Sequence, residues 1–129
     1  MSLDILAQIY TQKGMYTEAI TAHQEAITSS KGSTVYLGRL GYVYAMAGKR
    51  NDSEKILNQL RALMRQQYVS AYSIAEVYTG LGEKDRALEW LGKAFEEQSG
   101  DMVYLKVEPR MDGLRSDARF QALLRRMGL

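Results

Sequence analysis

Three tyrosines, Tyr10, Tyr44 and Tyr78, recur at intervals of 34 residues, and each carries the same neighbours. The segments are LAQIYTQKG (6–14), LGYVYAMAG (40–48) and IAEVYTGLG (74–82). A β-branched residue precedes each tyrosine (Ile9, Val43, Val77), and a glycine follows four positions later (Gly14, Gly48, Gly82). Ahead of each tyrosine stands an aliphatic residue with a small one beside it: Leu6-Ala7, Leu40-Gly41, Ile74-Ala75. Another small residue (Ala19, Ser53, Ala87) comes nine positions after each tyrosine. Six matching positions in three copies are an internal repeat, and a repeat of this period constrains the fold before any local motif is weighed.

The physics of one unit is that of a helix pair. Leu37, Leu40, Gly41 and Tyr44 form an i, i+3, i+4, i+7 stripe, the spacing of one helical face. Each following glycine predicts the stop of the first helix, because glycine takes the left-handed conformation there at little cost. Second apolar stripes then follow, such as Ala19, Ile20, His23, Ala26 and Ile27. One pair cannot bury its own apolar face, so successive pairs must stack. Predicted helices span about 3–13, 17–30, 34–47, 51–66, 68–81, 85–98 and 117–127, with ends uncertain by a few residues.

These units resemble tetratricopeptide repeats. Leu40-Gly41-Tyr42-Val43-Tyr44 reproduces the Leu-Gly-x-x-Tyr signature, and Ala19/Ala26 and Ala87/Ala94 match the two later alanines. Tyr16 matches the tyrosine near the second helix start. The resemblance covers residues 1 to about 101 and departs in two respects: Leu3, Leu37 and Ala71 replace the first-helix tryptophan, and the late proline is missing. In the middle unit, Glu54 and Arg61 replace apolar residues, and nothing near Arg65-Gln66-Gln67 breaks the second helix before the next unit. The resemblance implies an all-α, right-handed superhelical solenoid of three helix-turn-helix units with a C-terminal capping helix. The repeats are expected at 1–33, 34–67 and 68–101 and the cap at 102–129, together one domain.

In this family the first helices line a concave groove that holds protein or peptide ligands. The matching groove positions here include Ile5, Gln8, Gln12, Arg39, Tyr42, Met46, Tyr72, Ser73 and Glu76. Tyr42, Tyr72, Met46 and Arg39 are residue types that anchor interfaces, so an exposed patch containing two tyrosines and a methionine is expected on that wall. Gly38 also falls there, where it would leave room for a ligand. The subtype that clamps a terminal carboxylate is not supported, since its positions carry Asp4, Gln8, Arg39, Val69 and Ser73. Only Arg39 among them could hold a carboxylate.

Residues 101–129 leave the repeat pattern. SDARFQALLRRMGL (116–129) reads as a helix capped by Ser116 or Asp117, with Phe120, Leu123, Leu124 and Met127 on one face. A cap on the third repeat is the expectation, because a solenoid end exposes an apolar face. The ending Arg119-Phe120, Leu123-Leu124, Met127-Gly128-Leu129 is similar to that of bacterial multidomain proteins carrying such repeats. There the array often follows a kinase, cyclase or transcription-regulator domain. The implied setting is a larger bacterial signalling or regulatory protein of the cytoplasm.

Catalytic and cofactor chemistry finds little footing. With no cysteine and one histidine, His23, thiolate sites, histidine metal clusters and cysteine nucleophiles are excluded. His23 lies on the inner face of a second helix and is expected to pack. GRLGYVYAMAGK (38–49) fails as a phosphate loop: six residues separate Gly41 from Gly48, and Arg50 follows Lys49. No enzyme activity, metal or cofactor is expected. No stretch is long and apolar enough to span a membrane, and the first residues lack the basic and apolar regions of a signal peptide. Residues 1–100 carry equal numbers of basic and acidic side chains, and the tail adds the net +2. That is too little for a nucleic-acid stripe. The expected function is therefore non-catalytic binding of a protein or peptide in the groove, as a scaffold or regulatory module. A helical-repeat RNA-binding module is the alternative, and the oligomeric state is left open.

Overall fold

The computed structural model describes residues 2–97, 102 and 105–128. Among them are seven α-helices: α1 (Leu3–Gln12), α2 (Tyr16–Ser29), α3 (Thr34–Met46), α4 (Arg50–Leu63), α5 (Ala71–Gly80), α6 (Lys84–Glu96) and α7 (Ala118–Arg126). A short 3₁₀ helix, Pro109–Leu114, precedes α7. The predicted helices are all present. The feared continuity of α4 into the next repeat does not occur: α4 stops at Leu63, and α5 begins only at Ala71.

Each pair is closed by the same backbone device. Gly14, Gly48 and Gly82 adopt φ of 75°, 78° and 77°. The next residue in each case (Met15, Lys49, Glu83) donates its N–H to the carbonyl of Tyr10, Tyr44 or Tyr78, at 2.8, 2.8 and 3.0 Å. This bond caps a helix end and turns the chain into the second helix. The first helices start on serines, with Ser2, Ser33 and Ser70 accepting from the N–H of Ile5, Tyr36 and Tyr72. These caps satisfy donors that a helix start leaves without partners.

The helices of a pair pack on each other, and α3 joins the pairs through α2 on one side and α5 on the other. Ala7, Ala75, Ala19, Ser53 and Ala87 are fully buried, so the small positions of the repeat are where helices meet. Gly41 belongs to the same set: a Cβ there would lie 2.8 Å from Val77 Cγ2 and 3.0 Å from Ile56 Cγ2. Ser53 Oγ donates to the Gly41 carbonyl at 2.8 Å. Beyond the third pair, α7 packs against α6 with Phe120, Leu123 and Leu124 buried. Arg126 stacks over the Phe95 ring at 4.8 Å, and Arg119 pairs with Asp85 at 2.8 Å.

Candidate functional site

The three first helices are not evenly spaced, and the repeat register shows why. Between α3 and α5 the facing residues are Gly38 with Ser73 and Tyr42 with Gly80. A Cβ on Gly38 would lie 2.9 Å from Ser73 Cβ, and one on Gly80 would lie 3.0 Å from the Tyr42 ring. The expectation that Gly38 leaves room for a ligand is therefore corrected: the missing side chain is the space Ser73 fills. One repeat earlier, the equivalent pairs are Asp4 with Arg39 and Gln8 with Met46. These side chains are too large for the same approach. Asp4 and Arg39 meet as an ion pair, and α1 stays apart from α3 where α3 and α5 touch along their length.

The C-terminal segment returns to this side of the molecule. Leu105, Met111 and Leu114 are buried, and the 3₁₀ helix lies on α5. Burying each of these side chains contributes about 1.5–3 kcal/mol. Arg110 is the polar anchor: its Nη1 lies 3.5 Å from Glu76 Oε2, and its Nε donates to Glu108 Oε1 at 2.8 Å. The Arg110 backbone N–H donates to the same Oε1. Burial opposes the Arg110 charge, yet the Glu76 and Glu108 carboxylates outweigh it and hold the guanidinium ionised. Burial likewise opposes ionisation of Glu108, and Arg110 overrides it, leaving that carboxyl below its ordinary range. Arg115 secures the segment from outside, donating to the carbonyls of Lys106 and Glu108.

The gap between α1 and α3, walled by the returning segment, is a cavity of about 360 Å³. From α1 it receives Gln8, Thr11 and Gln12; from α2, Tyr16 and His23; from α3, Tyr42, Val43 and Met46. Glu108, Pro109, Arg110 and Asp112 form the fourth wall. His23 is 1% exposed, and its Nδ1 has no hydrogen-bond partner. Burial is the main cause that lowers its pKa to about 4, so the imidazole is neutral near pH 7. Burial also pushes the Tyr42 hydroxyl up to about 12. Asp4 Oδ1 and Arg39 Nε are buried without partners beside this cavity's first wall.

A model of the tetratricopeptide repeat matches residues 1–106. The chain belongs to the tetratricopeptide repeat family. Searches of curated proteins and of solved structures return no significant match. Tetratricopeptide repeats generally mediate protein–protein interactions on a non-catalytic scaffold. Among the described residues, no three His, Asp or Glu side chains gather to hold a metal ion, and no helix is long and apolar enough to cross a membrane.

Within this tetratricopeptide array, the groove residues read from the sequence divide into three groups. Gln8, Gln12, Tyr42 and Met46 come together in the cavity. Arg39 is tied to Asp4, and Ile5 stands half-exposed outside the cavity lining. Tyr72, Ser73 and Glu76 are buried, at 4%, 1% and 2% exposure, with α3 and the 3₁₀ helix packed on their helix. The expected exposed patch with two tyrosines is thus corrected, since Tyr42 is also only 8% exposed. Sequence reasoning missed the fourth wall. Its signal was Glu76, the one charge in AYSIAEVYTG, which needs a cation once buried; Arg110 follows the chain's single proline.

Proposed function

We propose that this array binds a protein partner by taking a short peptide segment into the cavity between α1, α3 and the returning C-terminal segment. The observation that carries this reading is the uneven spacing of the first helices. The groove over the third repeat is already occupied by the chain's own 3₁₀ helix, whereas the stretch over the first two repeats stays open. Its wall mixes amide, hydroxyl and thioether groups, the composition that suits a peptide's polar backbone and varied side chains. A buried imidazole nitrogen without a partner supports a ligand there, because such groups are ordinarily satisfied. The core from Leu37 to Leu124, with Ile20 and Ile27 of the first repeat packed against it, supports treating the repeats and tail as one domain. The tail's resemblance to endings of bacterial multidomain proteins supports a scaffold or regulatory role within a larger cytoplasmic protein.

A displayed peptide library, followed by affinity measurements on selected peptides, tests the proposal. Gln12→Ala and Met46→Ala change exposed side chains and should leave folding intact. Each is expected to weaken selected peptides about five- to tenfold, as loss of one hydrogen bond or one apolar contact does. Peptides that bind both variants as tightly as the parent would place the site elsewhere. Binding to RNA that steepens at low salt would replace the proposal with the RNA reading.

A further inference from the structure

The donors of Gln8, Thr11 and Arg110 in the cavity wall are already engaged, while acceptors beside them are not. Gln8 Nε2 donates to Asp4 Oδ2 at 2.9 Å, which leaves the Gln8 amide oxygen for another partner. Thr11 Oγ1 donates to the Ala7 carbonyl at 2.8 Å. Arg110 is engaged by Glu76 and Glu108, and both of its bonds to Glu108 fall on Oε1. Glu108 Oε2 receives neither of them. A neutral imidazole presents one nitrogen as an acceptor and the other as a donor, and His23 Nδ1 is without a partner.

Charge points the same way. Asp4, Glu76, Glu108 and Asp112 line or back the cavity, against the guanidiniums of Arg39, Arg110 and Arg115. Four carboxylates facing three guanidiniums leave one negative charge in excess, and neutral His23 does not offset it. Asp112, at the rim, is 68% exposed; Arg115 donates to its Oδ1 at 2.7 Å, which leaves Oδ2 for an incoming group. Tyr16 and Met46 supply polarisable, partly accessible surface beside these acceptors. Aromatic faces attract cations, and planar guanidinium stacks on them better than ammonium does.

We propose that the cavity reads an arginine of the partner peptide, whose guanidinium donates to Glu108, Gln8 and Gln12 against the flanks of Tyr16 and Met46. Guanidinium is the side-chain group with five donors and no acceptor, the complement of a wall that offers the Glu108 carboxylate and the Gln8 and Gln12 amide oxygens. The volume of about 360 Å³ lies at the low end of the roughly 300–1,000 Å³ of small-ligand sites. It fits one long side chain and its flanking backbone rather than a whole helix. The inference rests on the peptide-binding reading above and specifies its anchor.

The test uses the whole chain with methyl-labelled methionine, titrated with N-acetyl-arginine amide, N-acetyl-lysine amide and N-acetyl-citrulline amide. Citrulline keeps the shape of arginine and removes its charge. The arginine compound should shift the Met46 methyl resonance saturably. Citrulline should bind about tenfold more weakly, the difference between a charge-assisted hydrogen bond and a neutral one. Lysine should fall between the two. Met46→Lys, an exposed substitution that adds a positive charge, should abolish the shift of Tyr16 ring resonances by the arginine compound while leaving Tm unchanged. Asp112→Asn should weaken it severalfold. No saturable shift with arginine, or equal binding of citrulline, would overturn the arginine reading. Library peptides without arginine that still lose affinity in Gln12→Ala would leave the groove function standing and remove the arginine. Library peptides indifferent to Gln12 and Met46 would remove both.

Discussion

Asp4 and Arg39 hold across the first two repeats the position that Gly38 and Ser73 hold across the second and third. The register is identical, 34 residues apart on each side, yet one pair is an ion pair and the other a backbone-close contact. A solenoid of uniform repeats would have a uniform groove. Here Asp4 with Arg39 in place of Gly38 with Ser73, and Gln8 with Met46 in place of Tyr42 with Gly80, go with a cavity at that same α1–α3 interface.

The Asp4–Arg39 pair is expected to be coupled. Their side chains are 14% and 20% exposed, so removing one partner leaves a largely desolvated charge. Asp4→Ala and Arg39→Ala should each lower stability by about 1–3 kcal/mol. The double variant should lose less than the sum, by a coupling of about 0.5–3 kcal/mol for residues in contact. Urea denaturation of the four proteins measures this cycle. Strict additivity would mean that the pair does not hold the helices.

Arg110 anchors the returning segment, and its removal should be the most damaging single change in the tail. Arg110→Ala strands the Glu76 carboxylate, which is 2% exposed, without its guanidinium. Breaking a buried pair in this way costs about 3–5 kcal/mol. Replacing both partners by apolar residues, Glu76→Leu with Arg110→Met, should recover part of the loss, because the Glu76 charge is then gone, while Glu108 at 14% exposure still lacks its guanidinium. Hydrogen exchange across 105–114 should accelerate in the single variant and slow again in the double. Unchanged exchange in Arg110→Ala would show that Met111 and Leu114 hold the segment unaided.

Gly38 and Gly92 give a matched pair of substitutions. Alanine raises helix stability over glycine by about 1 kcal/mol where nothing interferes. At Gly92, in α6, a Cβ meets nothing within 4 Å, so Gly92→Ala should be stabilising by about that amount. At Gly38 the same atom would lie 2.9 Å from Ser73 Cβ and 3.0 Å from its carbonyl oxygen. Backbone cannot swing aside as a side-chain end can, and overpacking costs typically about 1–3 kcal/mol. Gly38→Ala should therefore destabilise despite its propensity. Thermal unfolding of both variants decides it, and a neutral or positive shift in Tm for Gly38→Ala would rule out the close approach of α3 and α5.

The repeat made the helices legible, because period, glycine stops and small contact residues all follow from local chain chemistry. Gly14, Gly48 and Gly82 end their helices for reasons contained in nine neighbouring residues. The groove wall was less legible. Tyr72, Ser73 and Glu76 were placed correctly on a first helix, but their burial depends on residues 105–114, which share no repeat with them. Gly38 was misread for the same cause: a missing side chain means open space or a close neighbour, and only the packing of α5 distinguishes the two. Glu76 was the local trace of the distant partner, since a lone carboxylate among apolar residues demands a cation that sequence alone does not locate.

His23 makes stability depend on pH in a direction fixed by its burial. Its pKa falls from 6.5 to about 4, so the unfolded chain takes up a proton before the folded one does. The stabilisation is fully present above pH 6.5 and is lost progressively as pH falls toward 4. At most it amounts to about 3 kcal/mol, with the slope approaching about 1.36 kcal/mol per pH unit. The groups facing the ring modulate the shift without reversing it: Asp4 favours its protonated form, whereas Arg110 and Arg39 oppose it. His23→Gln removes the titration and keeps a polar side chain. The stability difference between parent and variant should shrink steadily from pH 7 to pH 4.5, while carboxylates common to both cancel. Urea midpoints at four pH values measure that difference; a constant gap would mean that His23 takes up its proton as readily in the folded chain as in the unfolded one.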